Sequence, residues 1–318
     1  MTSQQKYRQL CEEEESIPLF SKDWWLDTVC GASKWDVVLA ESDKKILAAL
    51  PYYQPVPHVI SMPSYTQTMG VWFAPEVNDM KYTTLLGRRQ GICADLIENL
   101  PPYTSFLQQF PYTFTDWLPF YWTDFRQTTR YTYVLHAIAN QELLWENMAS
   151  NIRRNITKAV EKNGIVVQSG IPVDDFLQVF KATFQRQQKP VPQDIDVLRR
   201  LIDVCRKRNQ GDIWGGYDEA GRLHAAVFVV WQKSAAYYIA GGGNPALRDS
   251  GAHSAAMWEA IRFVSQHTNT FDFEGSMIPG VERFFREFGA KQMPFFTITR
   301  GDLSLFNRIR IKLSGSPK

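Results

Sequence analysis

The chain has 318 residues, 44% of them hydrophobic and 14% aromatic, with a formal net charge of +2. That is enough for one large or two ordinary domains around packed cores. It excludes a protein organised by a global basic field for nucleic acid, and leaves only local basic clusters open.

The opening segment, MTSQQKYRQLCEEEES, carries four successive glutamates and no apolar stretch, so a polar helix over 2–16 is expected and a signal peptide is not. Ser21 reads as the N-cap of a second helix that carries Trp24 and Trp25 inward and stops at Gly31. Trp35–Ala40 and Lys45–Tyr53 read as a hairpin about the turn Glu41–Lys44. Pro51, Pro55, Pro57 and Pro63 then mark a run that resists both helix and sheet interior. It holds Tyr65, Gln67, Gly70, Trp72 and Phe73, which read either as a ligand groove or as a loop fixed by its own aromatics. Residues 79–110 alternate between helical faces and short strands, and Tyr112–Trp122 reads as an aromatic strand. Phe125–Leu135 alternates Thr and Tyr as a strand does, placing Arg126, Thr128 and Arg130 on one face. The two arginines could grip a phosphate or carboxylate, lie solvated, or pair with Asp116 and Asp124.

From Asn140 an amphipathic helix is expected through Gly164, with Ile152, Ile156, Ala159 and Val160 apolar and Arg153, Arg154, Lys158 and Lys162 basic. Ile165–Gln168 is a strand, and Val173–Lys189 and Asp196–Arg208 are helices. Three strands follow: Asp212–Tyr217, Leu223–Gln232 and Ser234–Gly241. The last runs into Gly241-Gly242-Gly243, then Arg248-Asp249-Ser250-Gly251-Ala252-His253 and a helix over Ala252–Gln266. Glycines at a strand end admit a close ligand, and the free N–H groups of a helix start at Gly251 and Ala252 suit a pyrophosphate. Phe271–Ala290 supplies a short strand that carries Asp272 and Glu274, a turn at Gly275 and Ser276, and a helix packed by Val281, Phe284, Phe285 and Phe288 that ends at Gly289. Strand alternation would put Asp272 and Glu274 on one face, where one could be raised in pKa by the other. The element order is α+β.

The four cysteines, Cys11, Cys30, Cys93 and Cys205, are widely spaced without CxxC, and the five histidines lack ligand spacing. Reduced thiols, a cytoplasmic location, no metal and no membrane span are therefore expected.

Arg248-x-x-Gly251-x, then a helix, then the strand at 270–273, resembles the acyl-CoA core of the GNAT acyltransferases, whose run is Gln/Arg-x-x-Gly-x-Gly/Ala; His253 departs from it at the last place. RRNITKAVEKNGI from Arg153, PFYWTDFRQTTRYTY from Pro119, and FDFEGS with FFREFGA from Phe271 resemble the FemAB-like branch of that fold. The resemblance implies two tandem GNAT-like domains with mixed central sheets flanked by helices. Residues 1–138 with 295–318 would form the acceptor side, and 139–294 the donor side. The returning tail would hold a strand at Phe295–Ile298 and a basic helix at Leu305–Leu313.

Two donor habits are implied. One is transfer of an acyl group, acetyl above all, from acyl-CoA to a small-molecule or peptide amine. The other is transfer from aminoacyl-tRNA to a peptidoglycan precursor, with Arg153–Lys162 the clue for tRNA. The inserted coiled-coil arm of some relatives is absent, since Asn140–Gly164 is too short for one. Under the first habit Glu274 or Asp272 would accept the amine's proton. Tyr238 would protonate the leaving thiolate, with His253 a second candidate. Backbone N–H groups of Gly241–Gly243 would hold the carbonyl oxygen. Arg248, Gly251, Ala252 and His253 would bind the donor. Tyr65, Gln67, Arg126 and Arg130 would bind the acceptor between the domains. A GNAT-fold protein without activity is the remaining alternative.

Overall fold

A computed structural model describes residues 1–43, 45–76, 80–192 and 194–302. The expected tail helix at Leu305–Leu313 lies outside the described residues. The chain divides into two compact units, Met1–Arg130 with Pro294–Lys318, and Tyr131–Met293.

Unit 1 opens with α1 (Ser3–Glu13), closed by a capping box between Thr2 and Gln5. Helix α2 (Asp23–Cys30) starts one residue later than expected. Lys22 holds the N-cap position without a side-chain bond, while Ser21 is buried in a 3₁₀ turn and its carbonyl accepts from the Tyr7 hydroxyl. Gly31 ends α2 at φ +82°. β1 (Trp35–Ser42) and β2 (Lys45–Val56) form the expected hairpin, but β2 runs on through Pro51 and Pro55, with Pro51 opposite Val37. β3 (Val59–Ser61) follows β2, and β4 (Trp72–Phe73) pairs with it. Helix α3 (Tyr82–Glu98) and β5 (Ser105–Phe110) order the stretch that the sequence left mixed.

The expected strand at Tyr112–Trp122 is not one: it holds a short helix, α4 (Leu118–Tyr121), with Pro119 at its start. Its aromatics alternate because Phe114 and Phe120 fold back, edge to face, on Phe110 at 4.9 and 5.0 Å.

β3 and β5 are parallel at Val59↔Ser105 and Ile60↔Phe106. Beyond that pair the chain's own loop fills the space beside β5. The Gln109 carbonyl accepts from the Met69 N–H at 2.7 Å, and Gly70 lies so close that a Cβ there would sit 3.0 Å from the Phe110 ring.

Unit 2 takes most of β6 (Arg126–His136), then α5 (Gln141–Asn147) and α6 (Ser150–Thr157). The single long helix expected from Asn140 is broken at Met148–Ala149, where the Ala149 N–H donates to the Glu287 carbonyl; beyond α6 the chain continues as a π-helical turn over Lys158–Lys162. Next come β7 (Val166–Ser169), α7 (Val173–Arg186), α8 (Ile195–Lys207), β8 (Gly211–Tyr217), β9 (Leu223–Trp231) and β10 (Ala236–Gly243). They are followed by α9 (Ala252–Val264), β11 (Thr270–Asp272), α10 (Pro279–Glu287) and β12 (Lys291–Gly301).

The strand order in unit 2 is β6-β11-β10-β9-β8-β7, antiparallel except for β10 beside β11. In unit 1 it is β1-β2-β3-β5, with residues 296–301 of β12 antiparallel to β5. Apolar periodicity explains the layers. The α9 face of the unit 2 sheet buries Val227, Val229, Trp231, Phe271 and Phe273 against Met257, Ile261, Phe285 and Phe288, while Phe228 turns the other way onto Phe176 of α7. All four cysteines are buried free thiols. No helix among the described residues is long and apolar enough to cross a membrane.

Candidate functional site

The opening lies at the end of β10. This strand pairs with β11 only at Ala236↔Phe271 and Tyr237↔Asp272, yet it continues along β9 as far as Gly243↔Ala225. Ile239 is an extra residue between Tyr238 and Ala240, a bulge that bends β10 where β11 leaves it. Tyr238, still in register ahead of the bulge, faces α9 and α10, edge to face with Phe285 at 5.8 Å and with His253 at 6.5 Å. Burial pushes the Tyr238 hydroxyl well up, so it remains a phenol, a proton donor, across the working pH range. The His253 ring is hydrogen-bonded to the Gly242 backbone, and burial lowers its pKa to about 4, which keeps it neutral.

The three glycines meet protein atoms. A Cβ at Gly241 would collide with the Tyr238 hydroxyl. One at Gly242 would overlap the Val179 carbonyl and sit 2.6 Å from Phe180 Cα, so α7 lies directly on the strand. The Gly243 N–H already donates to Thr183 Oγ1 at 3.1 Å, which takes it away from the carbonyl-binding role expected of it. Gly251, at φ +83°, is the N-cap of α9, and a Cβ there would overlap the Asn155 carbonyl. Its first requirement is thus close packing on α6. The Lys158 ammonium and the Asn163 amide bond the Asp249 and Ser250 carbonyls at 2.7 and 2.9 Å, which fixes the turn ahead of α9.

A cavity of about 240 Å³ opens at this point, lined by Gly241–Gly243, Arg248, Ser250 and His253 together with Thr183, Arg186 and His224. Arg248 is largely exposed and touches Asp249 only at 3.4 Å. Two guanidiniums, a hydroxyl and the start of α9 thus share one concave surface, a donor set that fits a phosphate.

Asp272 and Glu274 adjoin one another. Asp272 is buried, and its Oδ1 accepts both the Thr132 hydroxyl and, at 2.8 Å, the Glu274 N–H. Strand alternation does not reach Glu274, because β11 ends at Asp272 and Glu274 takes φ +63°. Gly275 follows at φ +68°, with a Cβ position that overlaps the Tyr131 carbonyl of β6. Burial raises the Asp272 carboxyl to about 6 against the pull of its two donors; burial, then the Asp272 charge, hold Glu274 well above its ordinary range. The register puts Asp272 on the sheet face opposite Tyr238, so the expected acid and bases come from the two sides of the β10–β11 opening.

A carboxyl whose folded pKa is raised binds its proton more tightly when folded, so its contribution to stability is greatest at low pH and is lost as pH rises toward the folded value. The stability gained by Asp272→Asn over wild type is accordingly expected to grow from about pH 4 to about pH 6 and then level off. Urea unfolding across that range measures it, and a flat difference would contradict the raised carboxyl.

The expected acceptor residues belong to unit 1. Tyr65, at φ +53°, and Gln67 lie in a loop tied down at Thr66, whose hydroxyl accepts from the Trp25 indole at 3.0 Å and donates to the Ser64 carbonyl. Arg126, Thr128 and Arg130 are exposed on one face of β6, as the alternation requires. Asp116 is engaged by Gln90 and the Leu118 N–H, and among the described residues neither arginine pairs with Asp116 or Asp124.

The sequence reading missed Thr132, Thr183, Arg186 and His224. Thr132 was visible only as part of the strand alternation, and His224 only as a polar residue at the head of an apolar strand. Among the described residues no group of His, Cys, Asp and Glu could hold a metal ion.

Residues 146–286 match the family described as Acetyltransferase (GNAT) domain. No curated protein matches the chain. Similar solved structures include FemX, at 12% identity over 99% of both chains with a TM-score of 0.66. L-PGS from Bacillus licheniformis is similar at 12% identity over 99% of this chain and 97% of that one, with a TM-score of 0.55. A tandem GNAT protein from the clavulanic acid biosynthesis pathway is similar at 10% identity over 84% and 82%, with a TM-score of 0.50. Identities this low carry the fold alone. The chain therefore has the GNAT fold, and residues 146–286 match the GNAT acetyltransferase domain family.

Proposed function

We propose that the protein is an N-acyltransferase that moves an acyl group, acetyl in the first instance, from acyl-CoA to an amine of a small molecule or peptide. The observation that carries this reading is the early parting of β10 from β11, with the Arg186–Arg248 cavity at its end. A thioester lying in that gap would meet both sheet faces. Glu274, or Asp272 beside it, takes the proton of the incoming ammonium. The nitrogen forms a bond to the acyl carbon and the carbon–sulfur bond breaks; the departing thiolate takes the Tyr238 proton, the second proton shed by the nitrogen restores the phenol by way of solvent, and the proton held by the carboxylate is released to solvent. Positioning of the two reactants supplies a further share of the acceleration. The donor is assigned to unit 2 because the matching gap in unit 1 is filled by its own loop. Arg126 and Arg130, exposed on one strand face, are proposed to meet an acidic group of the acceptor, with Tyr65 and Gln67 as further contacts.

The second reading is aminoacyl transfer from tRNA, favoured by the likeness to FemX over the whole chain and by the exposed Arg154 and Lys162 near Arg153 and Lys158.

The test is release of free thiol from acetyl-CoA in the presence of a panel of amines and amino-terminal peptides. Amine-dependent thiol release is expected. Its absence, combined with transfer from aminoacyl-tRNA that is lost in Arg153→Glu/Arg154→Glu, would replace the first reading by the second. No transfer from either donor would leave a binding protein on a transferase fold.

A further inference from the structure

Along α3, Leu85, Leu86, Arg89, Gln90 and Cys93 recur at helical spacing and share one face. The later part of that helix buries Cys93, Leu96 and Ile97, but Leu85, Leu86 and Arg89 stay half-buried. Beside them is a cavity of about 340 Å³, lined by unit 1 alone and within the size range of small-molecule sites. Trp72 and Phe73 of β4 form a second wall, and Phe114, buried in the segment 111–119, belongs to a third. The Trp72 indole is held in place by the Ser16 hydroxyl, which accepts its N–H at 3.0 Å.

Two opposite charges are set into these apolar walls. The Arg89 guanidinium lies over the Phe73 ring, 5.1 Å from its centroid, which leaves its edges open to a planar partner. Its side chain is 44% exposed, and its ion pair among the described residues, with Glu76, spans 3.7 Å, longer than a hydrogen bond. Asp116, the other charge of the lining, accepts from Gln90 Nε2 at 2.9 Å and from the Leu118 N–H at 3.1 Å. Those two bonds use about half of a carboxylate's acceptor positions. Both charges reach one thiol of the same lining: burial, first, pushes Cys93 up to about 12, the Asp116 charge adds to the rise, and the Arg89 charge opposes it. Cation and anion thus belong to one cavity. A ligand with a single charge would meet an opposing one there, whereas a ligand with both signs satisfies both.

We propose that this cavity binds an α-amino acid with an apolar side chain. The ligand's carboxylate bonds the Arg89 guanidinium, its ammonium bonds the Asp116 carboxylate, and its side chain lies against Phe73, Leu86 and Phe114. The site lies in unit 1 and does not rest on acyl-CoA as the donor of unit 2.

The experiment is titration calorimetry of the whole protein with L-phenylalanine and L-leucine. Hydrocinnamate and isocaproate are the same molecules without the ammonium; phenethylamine and isoamylamine are the same without the carboxylate. Saturable binding of an amino acid is expected, with its two analogues about ten- to a hundredfold weaker. Arg89→Gln is expected to weaken the amino acid by a similar factor and to bind the amine no less well than wild type does. Asp116→Asn is expected to weaken the amino acid and to bind the analogue acid no less well. Binding of neither amino acid overturns the proposal. Equal affinity for an amino acid and its analogues overturns it too, since the cavity would then be an apolar site indifferent to charge. Undiminished amino-acid binding in both variants places the ligand elsewhere, with the same result. The analogues are read on wild type, so the test stands even where a variant fails to fold. Acetyl-CoA binding is a separate measurement, and none of these outcomes alters the donor reading.

Discussion

Gly242→Ala is expected to destabilise unit 2 by about 3 kcal/mol, near the top of the range for inserting a methyl group into a packed interior. The reason is that the obstacle is backbone. The new Cβ would overlap the Val179 carbonyl oxygen and lie 2.6 Å from both Phe180 Cα and Phe180 N, so α7 as a whole must lift from β10. Lifting α7 also withdraws Thr183 from the Gly243 N–H and displaces Arg186, so donor binding should fail along with stability. Hydrogen exchange of α7 and β10 amides reads the local loss directly, which matters because a chain of two units need not unfold in one step. Gly280→Ala is the control in the same unit. Gly280 lies in α10 with no atom within 4 Å of its Cβ position, so alanine there should be neutral or should stabilise by up to about 1 kcal/mol. Equal effects at the two sites would contradict the packing described.

Glu274→Gln is expected to lower kcat by about 10²–10⁴-fold while leaving acetyl-CoA affinity within a few fold, the pattern of a lost proton acceptor. Its carboxyl is poised high by burial and by the neighbouring Asp272 charge. The base works only when deprotonated, so the wild-type rate should rise with pH through the titration of this pair. Asp272→Asn removes the charge that raises Glu274, and should move the rising limb to lower pH. Its own rate loss should be the smaller, because Asn can still accept the Glu274 N–H. An unchanged pH profile in Asp272→Asn would break the coupling, and an unchanged rate in Glu274→Gln would leave positioning alone to account for turnover.

Much of the architecture was legible because its elements obey simple periods. The three-strand meander β8–β10, the helix after it and the Phe-packed α10 follow from apolar spacing and terminal glycines. The aromatic run at Tyr112–Trp122 was misread because its rings alternate for packing on Phe110, which only the fold reveals. The break at Met148–Ala149 was invisible for a similar reason: it is stabilised by the Glu287 carbonyl, far off in sequence.

The site was legible in its location but not in its logic. Gly241, Gly242 and Gly251 stood out as glycines at a strand end and a helix start, yet each is required by a protein neighbour: Tyr238, α7 and Asn155. Asp272 and Glu274 were found as a pair, but Thr132, which holds Asp272, comes from a strand that only the register brings alongside. The opposition of Tyr238 to Asp272 across the sheet depends on the pairing of Tyr237 with Asp272, a register that leaves no mark in the sequence.

The most direct test of the account is a titration of acetyl-CoA into wild type and into Arg248→Glu. Saturable binding to wild type is predicted, weakened in the variant by about ten- to a hundredfold, as expected when a charged contact to phosphate is reversed. No binding to wild type, or equal affinity in both proteins, would contradict the assignment of the carrier's phosphates to the cavity at the end of β10.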